Sequence, residues 1–155
     1  MIERGVRMVQ VYSNDEWDAH ADITSNHRDR CRETDIPIAG LLADLKRRGL
    51  LDSTLIVYGG EFGRMPVSES GKGRDHNPHG FCSWLAGAGV KGGTVYGETD
   101  ELGWKAARDP VSVPDFHATI LHLMGINHER LVYEHDGRRF RLTDVSGKVI
   151  TPILA

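Results

Sequence analysis

Cysteine is scarce in this chain: two residues in 155, Cys31 and Cys82, are too few for a disulfide scaffold and lack the CxxC spacing of a redox or zinc motif. Both are expected as reduced, partly buried thiols. No apolar run approaches the roughly 18 residues needed to cross a bilayer, and Met1-Ile2-Glu3-Arg4-Gly5 is not a signal peptide. A soluble chain with no membrane partner is therefore expected. A dominant charge is missing too. The balance of 19 Lys and Arg against 22 Asp and Glu leaves a net charge of -3, which gives no basic footprint for nucleic acid. Local basic clusters at Arg28, Arg30 and Arg32, at Lys46 to Arg48, and at Arg138 to Arg141 read as solvated faces. There is no G-x-S-x-G elbow, P-loop or dinucleotide fingerprint, which removes the serine hydrolase, NTPase and Rossmann readings.

What is present suits one core. With 39% hydrophobic and 26% charged residues, 1–155 reads as a single domain or part of one. Val6 to Tyr12 alternates apolar and polar side chains and predicts a strand. Asn14 to Arg32 follows as a loop with some helix. Thr34 or Asp35 can cap a helix with Pro37 in its first turn, Ile38, Leu41, Leu42 and Leu45 as its buried stripe, and Gly49 as its stop. Leu55 to Tyr58 is an apolar run suited to a strand covered on both faces. Strand, helix and strand in that order imply a right-handed crossover and a parallel pair, with Tyr12 and Tyr58 at one edge of the sheet. Phe81 to Ala86 predicts a further strand, Thr94 to Tyr96 a short extended piece, and Pro114 to Met124 a second helix. In the tail, Asp136-Gly137 signals a hairpin between Leu131-Val132-Tyr133 and Phe140-Arg141-Leu142, and Ser146-Gly147 suggests another turn.

Acidic and histidine residues gather where these elements begin or end: Trp17-Asp18-Ala19-His20, Gly59-Gly60-Glu61-Phe62-Gly63-Arg64, Gly73-Arg74-Asp75-His76-Asn77-Pro78-His79-Gly80 and Asp115-Phe116-His117. Carboxylate and imidazole are the ligand types that hold zinc, manganese or iron, and loops beyond strand ends are where an open α/β sheet presents its chemistry. Asp18 and His20, two apart on an extended segment, can face one way. Each residue also has an ordinary reading: Glu61 as a turn cap, Asp18 as an Asx-turn, His20 as a surface residue. His117 is a ligand, a substrate contact or a packed helix residue. His79 meets an anion or sits in solvent. His27, His122, His128 and His135 read as structural.

These residues carry a resemblance. Asp35 to Arg64, with its capped helix, Arg48-Gly49-Leu50-Leu51-Asp52, the apolar strand and Gly-Gly-Glu-Phe-Gly-Arg, followed by Gly-Arg-Asp-His-Asn-Pro, resembles the carboxy-terminal part of the DUF1501 family, sulfatase-like proteins of the alkaline phosphatase superfamily. Val113 to Gly125 resembles the family's late helix, and the match covers nearly the whole chain. The resemblance implies an α/β fold with a mixed sheet flanked by helices, here its C-terminal portion with a hairpin-rich tail. It also implies a two-metal site and a Ser, Thr or modified Cys nucleophile in a region that precedes the matching part, so no catalytic nucleophile is expected in this chain. It is expected to be a fragment or the product of a shortened reading frame.

Carried over residue by residue, Glu61 occupies the place of an Asp that relatives follow with His, and Phe62 replaces that His. His76 matches the later metal-binding His, Asp75 ligates or orients it as an outer partner, and Asp18 and His20 resemble an earlier Asp and His cluster. Arg64, Arg74 and His79 are the expected substrate-binding residues, since guanidinium groups hold an anion by paired hydrogen bonds. The expected cofactor is a divalent metal, zinc first, with manganese, calcium or magnesium as alternatives; the expected substrate is a small anionic ester. The function implied is metal-dependent hydrolysis of sulfate or phosphate esters; the alternative is a catalytically incomplete binding or assembly module. Exposed sheet surface would favour self-association. The compartment is left open, with export of the parent protein expected if a leader precedes Met1.

Overall fold

Asp22 starts the long helix of this protein. In a computed structural model that describes residues 1–13 and 17–155, its carboxylate accepts from the Ser25 N–H at 3.4 Å and from Ser25 Oγ at 2.6 Å, satisfying donors that a helix start leaves without partners. Helix α1 then runs Ile23–Arg47. It begins well before the expected cap at Thr34 or Asp35, and Pro37 lies inside it rather than in its first turn. The polar stretch read as loop is helical because ion pairs one turn apart support it, among them Arg30 to Glu33 at 3.1 Å. An interior proline costs about 3 kcal/mol. Leu45 is buried and Ile38 and Leu42 half-buried, whereas Leu41 is 47% exposed. The predicted stripe is therefore only partly covered. Gly49 ends the turn at φ 68, with Leu50 N–H donating back to Leu45 O at 2.9 Å.

The apolar run does form a strand, β1 (Ile56–Tyr58), but it is not covered on both faces as expected, Val57 being 43% and Tyr58 37% exposed, and its partner lies downstream. It pairs antiparallel with β4 (Trp84–Ala86), Tyr58 opposite Trp84, and the two rings stack at 5.2 Å. Val6 to Tyr12 belongs to no strand, so the parallel crossover that depended on it is absent. Alternation predicts a strand only where one face is buried, and here Val11 is 84% and Tyr12 78% exposed. The expected segment Asn14 to Arg32 is helical from Ile23; Asn14, Asp15 and Glu16 fall outside the described residues.

The remaining strands also pair antiparallel, as β2 (Gly63–Arg64) with β3 (His76–Asn77), β5 (Glu98–Thr99) with β6 (Ala106–Arg108), and β7 (Val132–His135) with β8 (Arg138–Arg141). Among the described residues the fold is thus a mixture of helix and small antiparallel sheets, each two-stranded. The last pair turns at Asp136 and Gly137, φ 50 and 72. Positive φ at both central positions is what a two-residue hairpin turn demands, which is why Asp-Gly marked it in the sequence.

The packed centre is small and sits under helix α2 (Val113–Leu123). Ser112 and Asp115 form a capping box, with Asp115 N–H donating to Ser112 Oγ at 3.2 Å and Ser112 N–H to Asp115 Oδ2 at 3.0 Å. Ala118, Thr119 and Leu121 are buried, as is Ile150 of the tail. Thr119 Oγ1 donates to Asp115 O at 2.8 Å and accepts from Ile150 N–H at 3.0 Å, while Lys148 N–H reaches Asp115 Oδ1 at 2.7 Å. Asp115 and Thr119 therefore bind the tail to α2 instead of serving a reactive site. Cys31 and Cys82 are free and both exposed, not partly buried as expected. No helix among the described residues is long and apolar enough to cross a membrane.

Candidate metal centre

Two distant segments meet because a glycine lets their backbones touch. At Gly73 an added Cβ would lie 2.0 Å from His20 O and 2.5 Å from Ala19 O. The contact is held on both sides: Arg74 N–H donates to Ala19 O at 2.9 Å and Ile23 N–H to Lys72 O at 3.1 Å. Ser70 Oγ also donates to His20 O. The loop after β2 thus clamps the Asp18 to His20 segment just before α1, and Ala19 is buried in the contact. On the other side, β2 and β3 place Arg64 directly opposite His76, so the two side chains rise on one face of the ladder.

The clamp gathers Asp18, His20 and His76. Asp18 Oδ1 lies 3.0 Å from His20 Nε2 and 3.0 Å from His76 Nε2, and the two imidazole nitrogens are 3.2 Å apart. Behind them, His20 Nδ1 is 2.7 Å from Asp75 Oδ1, and Glu69 N–H donates to Asp75 Oδ2 at 2.9 Å. The hydrogen bond from His20 holds the Asp75 carboxyl below its usual range, helped by the Glu69 amide. An ionised carboxylate only accepts, so Nδ1 carries a proton toward Asp75, which leaves Nε2 as the His20 atom that could give its lone pair to a cation in the triangle. The hydrogen bond from His76 likewise lowers the Asp18 carboxyl, against a smaller desolvation and with the charge of Arg64 assisting.

These three atoms have the spacing of donors around one cation. All lie within 4.8 Å of one another. Tetrahedral bonds near 2.05 Å separate ligand atoms by about 3.3 Å, and adjacent octahedral ligands at about 2.1 Å sit about 3.0 Å apart. The edges of 3.0, 3.0 and 3.2 Å fall at or between these values. A carboxylate on the far nitrogen of a ligating histidine is the usual outer support of such a site. Asp18, His20 and His76 could hold a divalent ion from one side, leaving its other side open.

Of the other residues singled out in the sequence, Glu61 reaches the cluster, among the described residues, only through Arg64, whose Nη2 donates to Glu61 Oε1 at 3.0 Å while its Nη1 donates to Asp18 Oδ1. Asp75 supports His20, not the adjacent His76. Arg74 turns its Nη1 to Gly73 O at 2.7 Å, and His79 is exposed, tied by its backbone rather than its ring. Phe62 lays its ring 4.6 Å from that of His76. His117 bonds Val113 O at 2.9 Å and His128 bonds Thr143 Oγ1 at 3.0 Å, both structural contacts.

Two contributors escaped the sequence reading. Asn77, 1% exposed, donates from Nδ2 to Trp104 O at 2.9 Å and accepts His79 N–H at 3.0 Å, anchoring the strand that presents His76. The Asn-Pro step after His76 is an Asx-turn signal that could have found it. Gly73 carried no separate signal beyond the loop's glycine content.

No curated protein and no solved structure matches the chain. A match to a family model spans residues 1–154, nearly the full length. The chain belongs to the family described as protein of unknown function (DUF1501).

Proposed function

We propose that this chain carries the cation-holding part of a metal-dependent hydrolase of sulfate or phosphate esters, on a sulfatase-like scaffold of the alkaline phosphatase superfamily. The observation that carries the reading is the triangle of Asp18 Oδ1, His20 Nε2 and His76 Nε2, with Asp75 fixing the tautomer of His20. A bound divalent ion, zinc first and manganese, calcium or magnesium next, supplies charge for the ester's non-bridging oxygens and acidifies a water. Asp18, His20 and His76 hold that ion from one side, the arrangement in which a reactive site keeps open positions. Asp75 keeps the His20 lone pair directed inward. Arg74 and His79 flank His76 in the chain and are the groups left to meet a small anionic substrate.

Melting with and without metal tests this reading. At free zinc one hundred times above Kd, binding stabilises the fold by about 2.7 kcal/mol, a Tm rise of roughly 5–10 °C for a domain of this size. Chelator reverses it, and Asp18→Ala with His76→Ala abolishes it together with any turnover of 4-nitrophenyl phosphate or sulfate. Melting indifferent to zinc and to chelator would sink the proposal.

Phe62 favours a second reading. Its ring packs on His76 where the resemblance calls for a ligating imidazole, and a chain that binds an ion without turning over esters fits a binding or assembly module. The wide exposure of Val11, Tyr12, Ile36 and Val95 is compatible with self-association in that role. Ester turnover lost on removal of His76 eliminates this second reading.

A further inference from the structure

Arg64 is the one cation joined to two of the cluster's carboxylates among the described residues. Its two terminal nitrogens serve different acids, Nη1 to Asp18 Oδ1 and Nη2 to Glu61 Oε1 at 3.0 Å. The side chain is 21% exposed, less than Asp18 at 46% or Glu61 at 61%. Its guanidinium lies 5.4 Å from the Phe62 ring centroid, a cation–π distance, and its backbone pairs with His76 across the ladder. Both ends and the underside of the group are therefore held.

Resting on the metal reading above, we infer that the Arg64 guanidinium stands in for a second divalent ion, so that the site takes one cation per chain. The donor inventory leads there. Among the described residues, once Asp18, His20 and His76 surround one ion, a second would find Glu61, already paired with Arg64, and Asp75, already engaged with His20 Nδ1 and the Glu69 N–H. Phe62 offers no donor atom. The charge balance agrees: among the described residues the carboxylates of Asp18, Glu61 and Asp75 with the Arg64 guanidinium leave two negative charges, which a single divalent ion neutralises. A second ion would bring the same cluster to two positive charges in a small volume. A guanidinium suits this task because it stays protonated at any working pH and its planar fork spans two acids at once. Arg64 is thus a positioning residue for Asp18 and a permanent charge beside the triangle of Asp18, His20 and His76.

Cobalt(II) titration reads the stoichiometry directly through its d–d absorption. A Cys31→Ser/Cys82→Ser background is used because both thiols are exposed and thiolate is itself a ligand for such ions. With Arg64 intact, the absorption saturates at one equivalent. With Arg64→Met, which keeps the bulk and removes the charge, Glu61 is released and the absorption continues to change up to a second equivalent. Saturation at two equivalents with Arg64 intact would overturn the inference while leaving the metal reading standing. Saturation at one equivalent in Arg64→Met would overturn it as well. Absence of any cobalt absorption with Arg64 intact would remove both. The intact-Arg64 titration decides the matter even if Arg64→Met does not fold.

Discussion

Gly73→Ala perturbs the candidate metal centre without touching a candidate donor atom. The added Cβ would meet His20 O at 2.0 Å, His20 C at 2.1 Å and Ala19 O at 2.5 Å. All three are backbone atoms, so no side-chain rotation relieves the overlap. Opening the closest contact to even 3.0 Å moves the two segments apart by roughly 1 Å, about five times the 0.2 Å tolerance of a metal–ligand bond. The bonds from Arg74 N–H to Ala19 O and from Ile23 N–H to Lys72 O stretch with it, a loss of about 1 kcal/mol each. Zinc affinity, measured by competition with a chromophoric chelator, is expected to fall about 100-fold or more, since losing outer support alone costs about 10- to 100-fold. Helical circular dichroism stays, because only Ile23, the first residue of α1, takes part in the contact and α2 lies outside it. Gly71→Ala is the control. Gly71 sits at φ 71 with nothing within 4 Å of an added Cβ, so it costs about 1 kcal/mol of backbone strain and leaves zinc affinity alone. A Gly73→Ala protein binding zinc within twofold of the parent would refute the clamp.

Asp75→Asn keeps the shape of the His20 support but removes its charge, and is expected to weaken zinc binding about 10- to 100-fold with unchanged circular dichroism; affinity within twofold of the parent would show that Asp75 does not steer His20. Ser112→Ala removes the α2 cap and costs about 1 kcal/mol at pH 7 in urea denaturation. Its pH dependence follows from Asp115, where burial pushes the carboxyl up but the bonds from Ser112 and Lys148 outweigh it and hold it below its ordinary 3.8. A depressed folded value means the stabilisation is present above about pH 4 and is lost as pH falls through the lower folded value. The Ser112→Ala protein, lacking the largest of those bonds, should therefore lose stability less steeply below pH 4; identical slopes would contradict this account.

The elements legible in the sequence are those whose signal is local. Asp136-Gly137 fixes its own turn, Ser112 with Asp115 caps its own helix, and Gly49 ends α1 where the stripe stops. The errors come where a local pattern needed a distant partner. Val6 to Tyr12 alternates correctly, yet no neighbouring strand supplies the hydrogen bonds or the buried face that would make it one. Leu55 to Tyr58 reads correctly as strand-forming but its partner is Trp84 to Ala86, fixed by a crossing that no propensity encodes. The early start of α1 was hidden because Thr34 and Asp35 imitate a cap, whereas Asp22 and the i,i+3 ion pairs carry the helix past them.

The site divides in the same way. Residue type and position at element ends were enough to single out Asp18, His20 and His76, which the fold brings within 4.8 Å of one another. The pairings among them were not legible, because they depend on a backbone contact between residues more than fifty apart. Consecutive residues Asp75 and His76 both reach the His20 ring, one at each nitrogen, so neighbours in the chain take opposite roles, one supporting and one facing the same centre. Glu61, read as a ligand from its place at a strand end, instead meets Arg64, three residues on. Asp18 meets the same guanidinium, but it also faces the imidazoles of His20 and His76, which Glu61 does not. Which acid stands beside the imidazoles is therefore decided by how distant segments meet, and β2 pairing with β3, which sets Arg64 across from His76, is one such meeting that no local pattern encodes.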